Sequence, residues 1–201
     1  VANVIGNLNA KQEGVHVTNG SSVDIQGNVI SGTTGIEVFI NNADEQSFVI
    51  VNGIVDGNNR AVGVHITGGV KPDDVISAMP QIIVQTLESE KDLVVVTGPT
   101  SSKEEQDKLT EAVLSNLFYI VNTDNIDTAN IAIYGTEVVN GYVVAKENST
   151  ITLKSTKSGY IVCDVQAGKY ATVTENPDGS YTITVNRGGD LNISADVKKK
   201  Q

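Results

Sequence analysis

Two histidines and one glutamate recur at the same place in three successive stretches of the chain. His16 stands in Gly14-Val15-His16-Val17, Glu37 in Gly35-Ile36-Glu37-Val38 and His65 in Gly63-Val64-His65-Ile66. These two histidines are the only ones among 201 residues. In an extended strand, successive side chains point to opposite faces, so the apolar flanks of each stretch face one way and its central polar residue the other. Stacked as neighbouring strands about 4.8 Å apart, the three polar side chains would form an outward column. Two imidazoles flanking a carboxylate are a donor set for Zn²⁺ or a similar metal. They are also the groups needed for a base and its partner acting on a bound sugar. An outward column must be polar in any case, and the reading adopted is an ordinary solvated ladder. No catalytic residue, metal or cofactor is assigned, and His16, Glu37 and His65 are retained as the alternative catalytic or metal site.

Other reactive residues form weaker patterns. Asp24, Asp44, Glu45, Asp56 and Arg60 lie in or beside the repeats. Glycoside hydrolysis needs two acids facing one cleft, and a lyase needs acids to hold Ca²⁺ with a basic neighbour. These acids do not cluster on one strand, so they read as turn and surface residues. Gly98-Pro99-Thr100-Ser101-Ser102-Lys103 lacks the second glycine and the Ser or Thr after lysine that a phosphate loop requires, and reads as a helix cap. Asn122 to Asp127 is oxygen-rich but lacks the glycine and closing glutamate of a calcium loop, and is expected to be a helix end followed by a polar loop. Cys163, the single cysteine, sits in an apolar run and is expected to be a buried, inert thiol.

The elements that must position these residues begin with the repeat itself. Asn3-Val4-Ile5, Asn28-Val29-Ile30-Ser31-Gly32 and Gly53-Ile54-Val55-Asp56-Gly57 each precede one of the three stretches above. Turn signals recur between them at Asn19-Gly20-Ser21, Ser31-Gly32-Thr33, Asn41-Asn42 and Asp56-Gly57-Asn58. A strand-and-turn period of 20 to 30 residues without a helix predicts stacked β-coils, with Val15, Ile36 and Val64 in one interior file. The run from Asn28 to Val38 resembles a rung of the right-handed parallel β-helix of pectate-lyase-like proteins. That resemblance implies a scaffold shared by lyases, hydrolases and adhesins alike, and so implies no particular activity.

After about residue 70 the pattern changes. Lys71-Pro72-Asp73-Asp74 predicts a short helix ending near Met79-Pro80. Gln81 to Leu87 and Leu93 to Thr97 read as buried strands. Ser101 with Glu104, and Ser102 with Glu105, form overlapping capping boxes before an amphipathic helix predicted over roughly 103–121. Such a helix would cap the stack or cover an edge. Strands return from 130 onward, with a hairpin turn at Asn176-Pro177-Asp178-Gly179. The segments from Asp178 to Val185 and from Gly189 to Ala195 are similar to the closing part of small β-repeat modules in Gram-positive surface proteins. They depart from that pattern at Val185, Asn186 and Arg187. The expected organisation is mainly β: 1–70 a right-handed parallel β-helix fragment, 71–135 an α/β insertion or cap, and 136–201 a C-terminal β region.

Composition narrows the partners. The formal net charge is -10, which repels phosphate backbones and argues against nucleic acid. Lys198-Lys199-Lys200 reads as a solvated tail or a link. Trp is absent and aromatics make up 4%, so the core must be built from Val and Ile. No run is long and apolar enough to span a membrane as a helix, and one cysteine allows no internal disulfide. The chain opens at Val1 inside a repeat and is expected to continue upstream. With the two resemblances above, the expectation is a non-catalytic bacterial protein, secreted or at the cell surface, used for adhesion or for display toward a polysaccharide or host surface protein. The alternative is a polysaccharide-acting lyase or glycoside hydrolase on the same scaffold.

Overall fold

The computed structural model describes residues 1–18, 20–67 and 69–201, and the protein is mainly β, with nineteen strands and two short α-helices among them. Two compact units are distinguished, Val1–Phe118 and Tyr119–Gln201. Asn19, in one of the expected turns, lies outside the described residues.

The first unit contains β1 (Ala2–Ile5), β2 (Leu8–Ala10), β3 (Val15–Thr18), β4 (Ser22–Gln26), β5 (Val29–Ser31), β6 (Thr34–Ile40), β7 (Phe48–Gly57), β8 (Arg60–Ile66), β9 (Gln81–Glu88) and β10 (Asp92–Thr97). Every pairing recorded among them is parallel. β1–β4–β7–β9 and β2–β5–β7 belong to one sheet, and β3–β6–β8–β10 form a second. Strands buried this way need continuous Val and Ile files, and the registers supply them. Leu8, Val29, Val55 and Leu87 stand side by side in the first sheet. Val15, Ile36, Val62 and Val94 do so in the second, with Val17, Val38, Val64 and Val96 in the next file. The expected file therefore holds Val62 where Val64 was placed. Arg60 pairs with Thr34, so the Gly-Val-His-Ile run of the third repeat enters two residues later than its counterparts. A two-residue slip keeps every side chain on its own face, so alternation alone does not reveal it.

Side-chain amides tie the repeats together on the polar side. Asn28 N donates to Asn7 Oδ1 at 2.9 Å, and Ile54 N donates to Asn28 Oδ1 at 2.8 Å. Gln85 donates to Asn52 Oδ1 at 2.7 Å, and Asn52 to Gln26 Oε1 at 3.0 Å. The same register also sets like charges together, because Asp56 lies directly opposite Glu88. Burial, then Glu88 and Glu90, push the Asp56 carboxyl above its ordinary range. A raised carboxyl costs stability once the pH exceeds its unfolded value, and the cost disappears as pH falls through that range. Asp56→Asn is accordingly expected to stabilise the protein at neutral pH by up to about 1 kcal/mol. Urea midpoints in neutral and mildly acidic buffer check this; the gain should shrink in acid, and an equal gain at both would assign it to another cause.

Two helices follow from their caps. α1 (Pro72–Val75) starts with Pro at its first turn and runs into a 3₁₀ turn, Ile76–Ala78. α2 (Lys103–Leu114) is capped by Ser102, whose Oγ accepts from Glu105 N at 3.2 Å. The Glu105 carboxylate reaches back to Ser101 N and Oγ at 2.7 and 2.8 Å. Leu109 and Val113 are buried, and Gln106 Nε2 donates to Val96 O of β10 at 2.5 Å, so α2 lies against the last strand of the second sheet. The helix is shorter than the sequence predicts. Leu117 and Ile120 extend its apolar stripe on paper, but Phe118-Tyr119-Ile120-Val121 is a run of aromatic and β-branched residues that favours strand. It forms β11 (Leu117–Ile126).

The second unit contains most of β11, then β12 (Ile131–Tyr134), β13 (Glu137–Val139), β14 (Tyr142–Lys146), β15 (Thr150–Ser155), β16 (Tyr160–Gln166), β17 (Thr172–Glu175), β18 (Tyr181–Thr184) and β19 (Leu191–Lys199). β12–β15–β18–β17 form an antiparallel sheet, with the predicted Asn176–Gly179 turn joining β17 to β18. β19 pairs parallel with β11 and antiparallel with β16. β13 and β14 form a hairpin across Asn140 and Gly141, whose φ values of 48° and 82° match the left-handed pair of a tight hairpin turn. Tyr119 is fully buried, and its hydroxyl accepts from Gly188 N at 3.1 Å.

Candidate functional site

The second sheet of the first unit turns Val15, Val17, Ile36, Val38, Val62 and Val64 inward, which leaves the alternate residues on its other face. His16 and Glu37 are neighbours in register, but Gly63 holds the third place of that file. His65 belongs to the next file, after Thr18 and Phe39 and before Thr97. The expected column of His16, Glu37 and His65 is therefore corrected by the same two-residue slip. Phe39 is the consequence. Its ring stacks on His16 at 4.5 Å on one side and on His65 at 4.7 Å on the other. With a phenyl ring between them, the two imidazoles cannot converge on one metal. No group of three His, Cys, Asp or Glu among the described residues is placed to hold one.

His65 leans over Gly63, where its Nε2 comes to 3.2 Å from the position a Cβ would occupy. That brings Nε2 to 3.5 Å from Glu37 Oε1, close enough for ion pairing but without the alignment of a hydrogen bond. The other ring nitrogen, Nδ1, lies 2.7 Å from Thr97 Oγ1. Glu37 is buried at 7% exposure, His65 is partly covered and Thr97 is exposed. Carboxylate, imidazole and hydroxyl thus run in sequence from the interior to the surface. Beside Thr97 the face opens into a cleft of about 410 Å³ lined by Asn59, Arg60, Lys91, Asp92, Val95 and Thr97. Lys91 Nζ donates to Asn59 Oδ1 at 2.9 Å. Arg60 also reaches over Gly63, and among the described residues its guanidinium has no carboxylate within ion-pair distance.

The remaining candidates disperse. Asp24 accepts from Gln26 Nε2 at 2.7 Å on β4. Asp56 is on β7 opposite Glu88, whereas Arg60 opens β8 in the other sheet. Asp44 lines a separate groove with Asp73 and Asp74. Lys103, the first residue of α2 after its Ser102 cap, is bound to Asp107 Oδ2 at 2.9 Å and is not part of a phosphate loop. Asn122 to Ile126 belongs to β11, paired with β19, and not to a helix end and loop. Cys163 is buried, and burial first, then Asp164, raises its thiol away from the reactive range.

The repeat motif singles out neither Thr97 nor Phe39 on this face. Thr97 ends a strand already visible as Leu93 to Thr97, and alternation from the inward Val94 and Val96 places it outward. The partnership with His65 follows only from register.

Comparison with protein-family models, with curated proteins and with solved structures finds no match. No helix among the described residues is long and apolar enough to cross a membrane.

Proposed function

We propose that residues 1–70 form rungs of a right-handed parallel β-helix of the pectate-lyase-like kind, within a bacterial protein that acts outside the cell or at its surface. Its role is adhesion or ligand display: a stiff, polar face that docks a polysaccharide or a host surface protein by many weak contacts. The architectural part is supported by parallel ladders between successive repeats in both sheets, and by the strong preference of parallel crossovers for the right hand. The functional part rests on one observation, the outward face of β3, β6, β8 and β10, where polar side chains stand at strand spacing beside the Arg60–Lys91 cleft.

The chemistry of that face favours hydrogen bonding over ring stacking. Both faces of Phe39 are covered by imidazoles, so a sugar ring cannot stack on it. The rival reading, a lyase or glycoside hydrolase centred on His16, Glu37 and His65, requires those three to converge, and Phe39 stands between His16 and His65. The test is adsorption of the full chain to insoluble polysaccharides and to immobilised extracellular-matrix proteins. Arg60→Glu with Lys91→Glu reverses the charge of the cleft, and Gln85→Glu serves as a control in the other sheet. Retention that the double variant lowers at least tenfold and the control does not supports the reading. Absence of retention on every surface, or equal retention by both variants, overturns it.

A further inference from the structure

We propose that Glu37, His65 and Thr97 form a relay that makes the Thr97 hydroxyl a nucleophile toward small carboxylic esters, such as an O-acetyl group carried on a carbohydrate. The inference goes beyond the binding reading above and starts from three side chains. Thr97 Oγ1 lies 2.7 Å from His65 Nδ1, within reach of direct proton transfer. His65 Nε2 is buried without a hydrogen-bond partner and lies 3.5 Å from Glu37 Oε1. The tautomer with its proton on Nε2 puts that proton on the nitrogen nearer the carboxylate and leaves the Nδ1 lone pair for Thr97. A hydroxyl, a base in contact with it and a third group orienting the base are the parts of an activated nucleophile, and such contacts are often looser without substrate.

Each residue has one task. His65 takes the Thr97 proton as Oγ1 bonds to the ester carbonyl carbon, and the carbonyl oxygen becomes an oxyanion. Arg60, in the same cleft and without an ion-pair partner among the described residues, is the cation available to it. When the carbon–oxygen bond to the alcohol breaks, His65 returns the proton to the departing alkoxide. Water then attacks the acyl-threonine with His65 as base, which releases the carboxylic acid and restores the hydroxyl. Glu37 touches no substrate. It is a positioning residue that holds the ring and stabilises the imidazolium formed in each half-reaction. Phe39 fixes the ring plane from one side by its stack at 4.7 Å. Gly63 leaves the space into which the ring leans. His16, across Phe39, has no part.

The experiment uses the full chain with p-nitrophenyl acetate, and with diisopropyl fluorophosphate followed by peptide mass spectrometry. The expected result is turnover with an initial burst and a phosphoryl adduct on Thr97. Thr97→Val and His65→Gln should each lower turnover at least a hundredfold at an unchanged melting temperature, while Thr97→Ser retains it. His16→Ala should leave the rate unchanged, which separates this site from any paired-histidine site. Glu37→Gln should lower kcat more than it changes KM and should alter the pH profile, which a merely structural glutamate would not do. Turnover no greater than that of His65→Gln, or an unmodified Thr97 in the labelled protein, overturns the proposal. Turnover that survives in Thr97→Val but not in His65→Gln also overturns it, since the imidazole would then be acting on water.

Discussion

Ile36→Ala is expected to cost about 2–5 kcal/mol, the range for removing a buried isoleucine side chain beyond its Cβ. Ile36 has no exposed surface and stands between Val15 and Val62 in the second sheet. Strands fixed in register on both sides cannot close in around the missing atoms, so the cavity persists. A domain stabilised by about 5–15 kcal/mol loses a large part of its margin that way. Ile30→Ala is the matched comparison: Ile30 is 44% exposed, next to fully buried Val29 on β5, and its loss should cost within about 0.5 kcal/mol. Chemical denaturation of both variants measures the difference. Equal midpoints would mean that the inward and outward faces of the parallel ladders have been assigned wrongly.

Gly53→Ala is expected to be as damaging for the opposite reason. A Cβ at Gly53 would lie 2.3 Å from Gly27 O and 2.6 Å from Asn28 Oδ1, the latter holding the Ile54 amide. One repeat earlier, a Cβ at Gly27 would lie 2.3 Å from Gly6 O. Backbone therefore approaches backbone at the same point of successive repeats, leaving no room for a methyl group. Since the obstacle is main chain, it cannot rotate away, and overpacking of this kind costs about 3 kcal/mol. Gly141→Ala provides the contrast. Nothing lies within 4 Å of its Cβ position, but its φ of 82° penalises any side chain, so a smaller loss of about 1–2 kcal/mol is expected there. If the two substitutions prove equally mild, the close approach of repeats at Gly27 and Gly53 does not exist in solution.

The amino-acid sequence by itself determined a good deal. Alternation of Val and Ile with polar residues set the inward and outward faces at Val15, Ile36 and Val38, because a period of two is a local property of an extended chain. The caps at Ser102 and Glu105 and the turn at Asn176–Gly179 were legible for the same reason, since their partners lie within a few residues. The end of α2 was not. Leu117 and Ile120 continue a helical stripe, and the β-forming run Phe118–Val121 together with its pairing into β11 overrode it.

Register belonged to the tertiary structure. The third repeat is displaced by two residues, an offset that leaves the pattern of faces intact and changes every lateral neighbour. That offset put Phe39 between the histidines and took His16 away from His65, while the separate register of β10 against β8 set Thr97 beside the imidazole. Local sequence fixes which side of a strand a residue occupies. Which residue stands beside it is set by how whole strands slide until their buried files fill, and that is where the Glu37–His65–Thr97 relay arises.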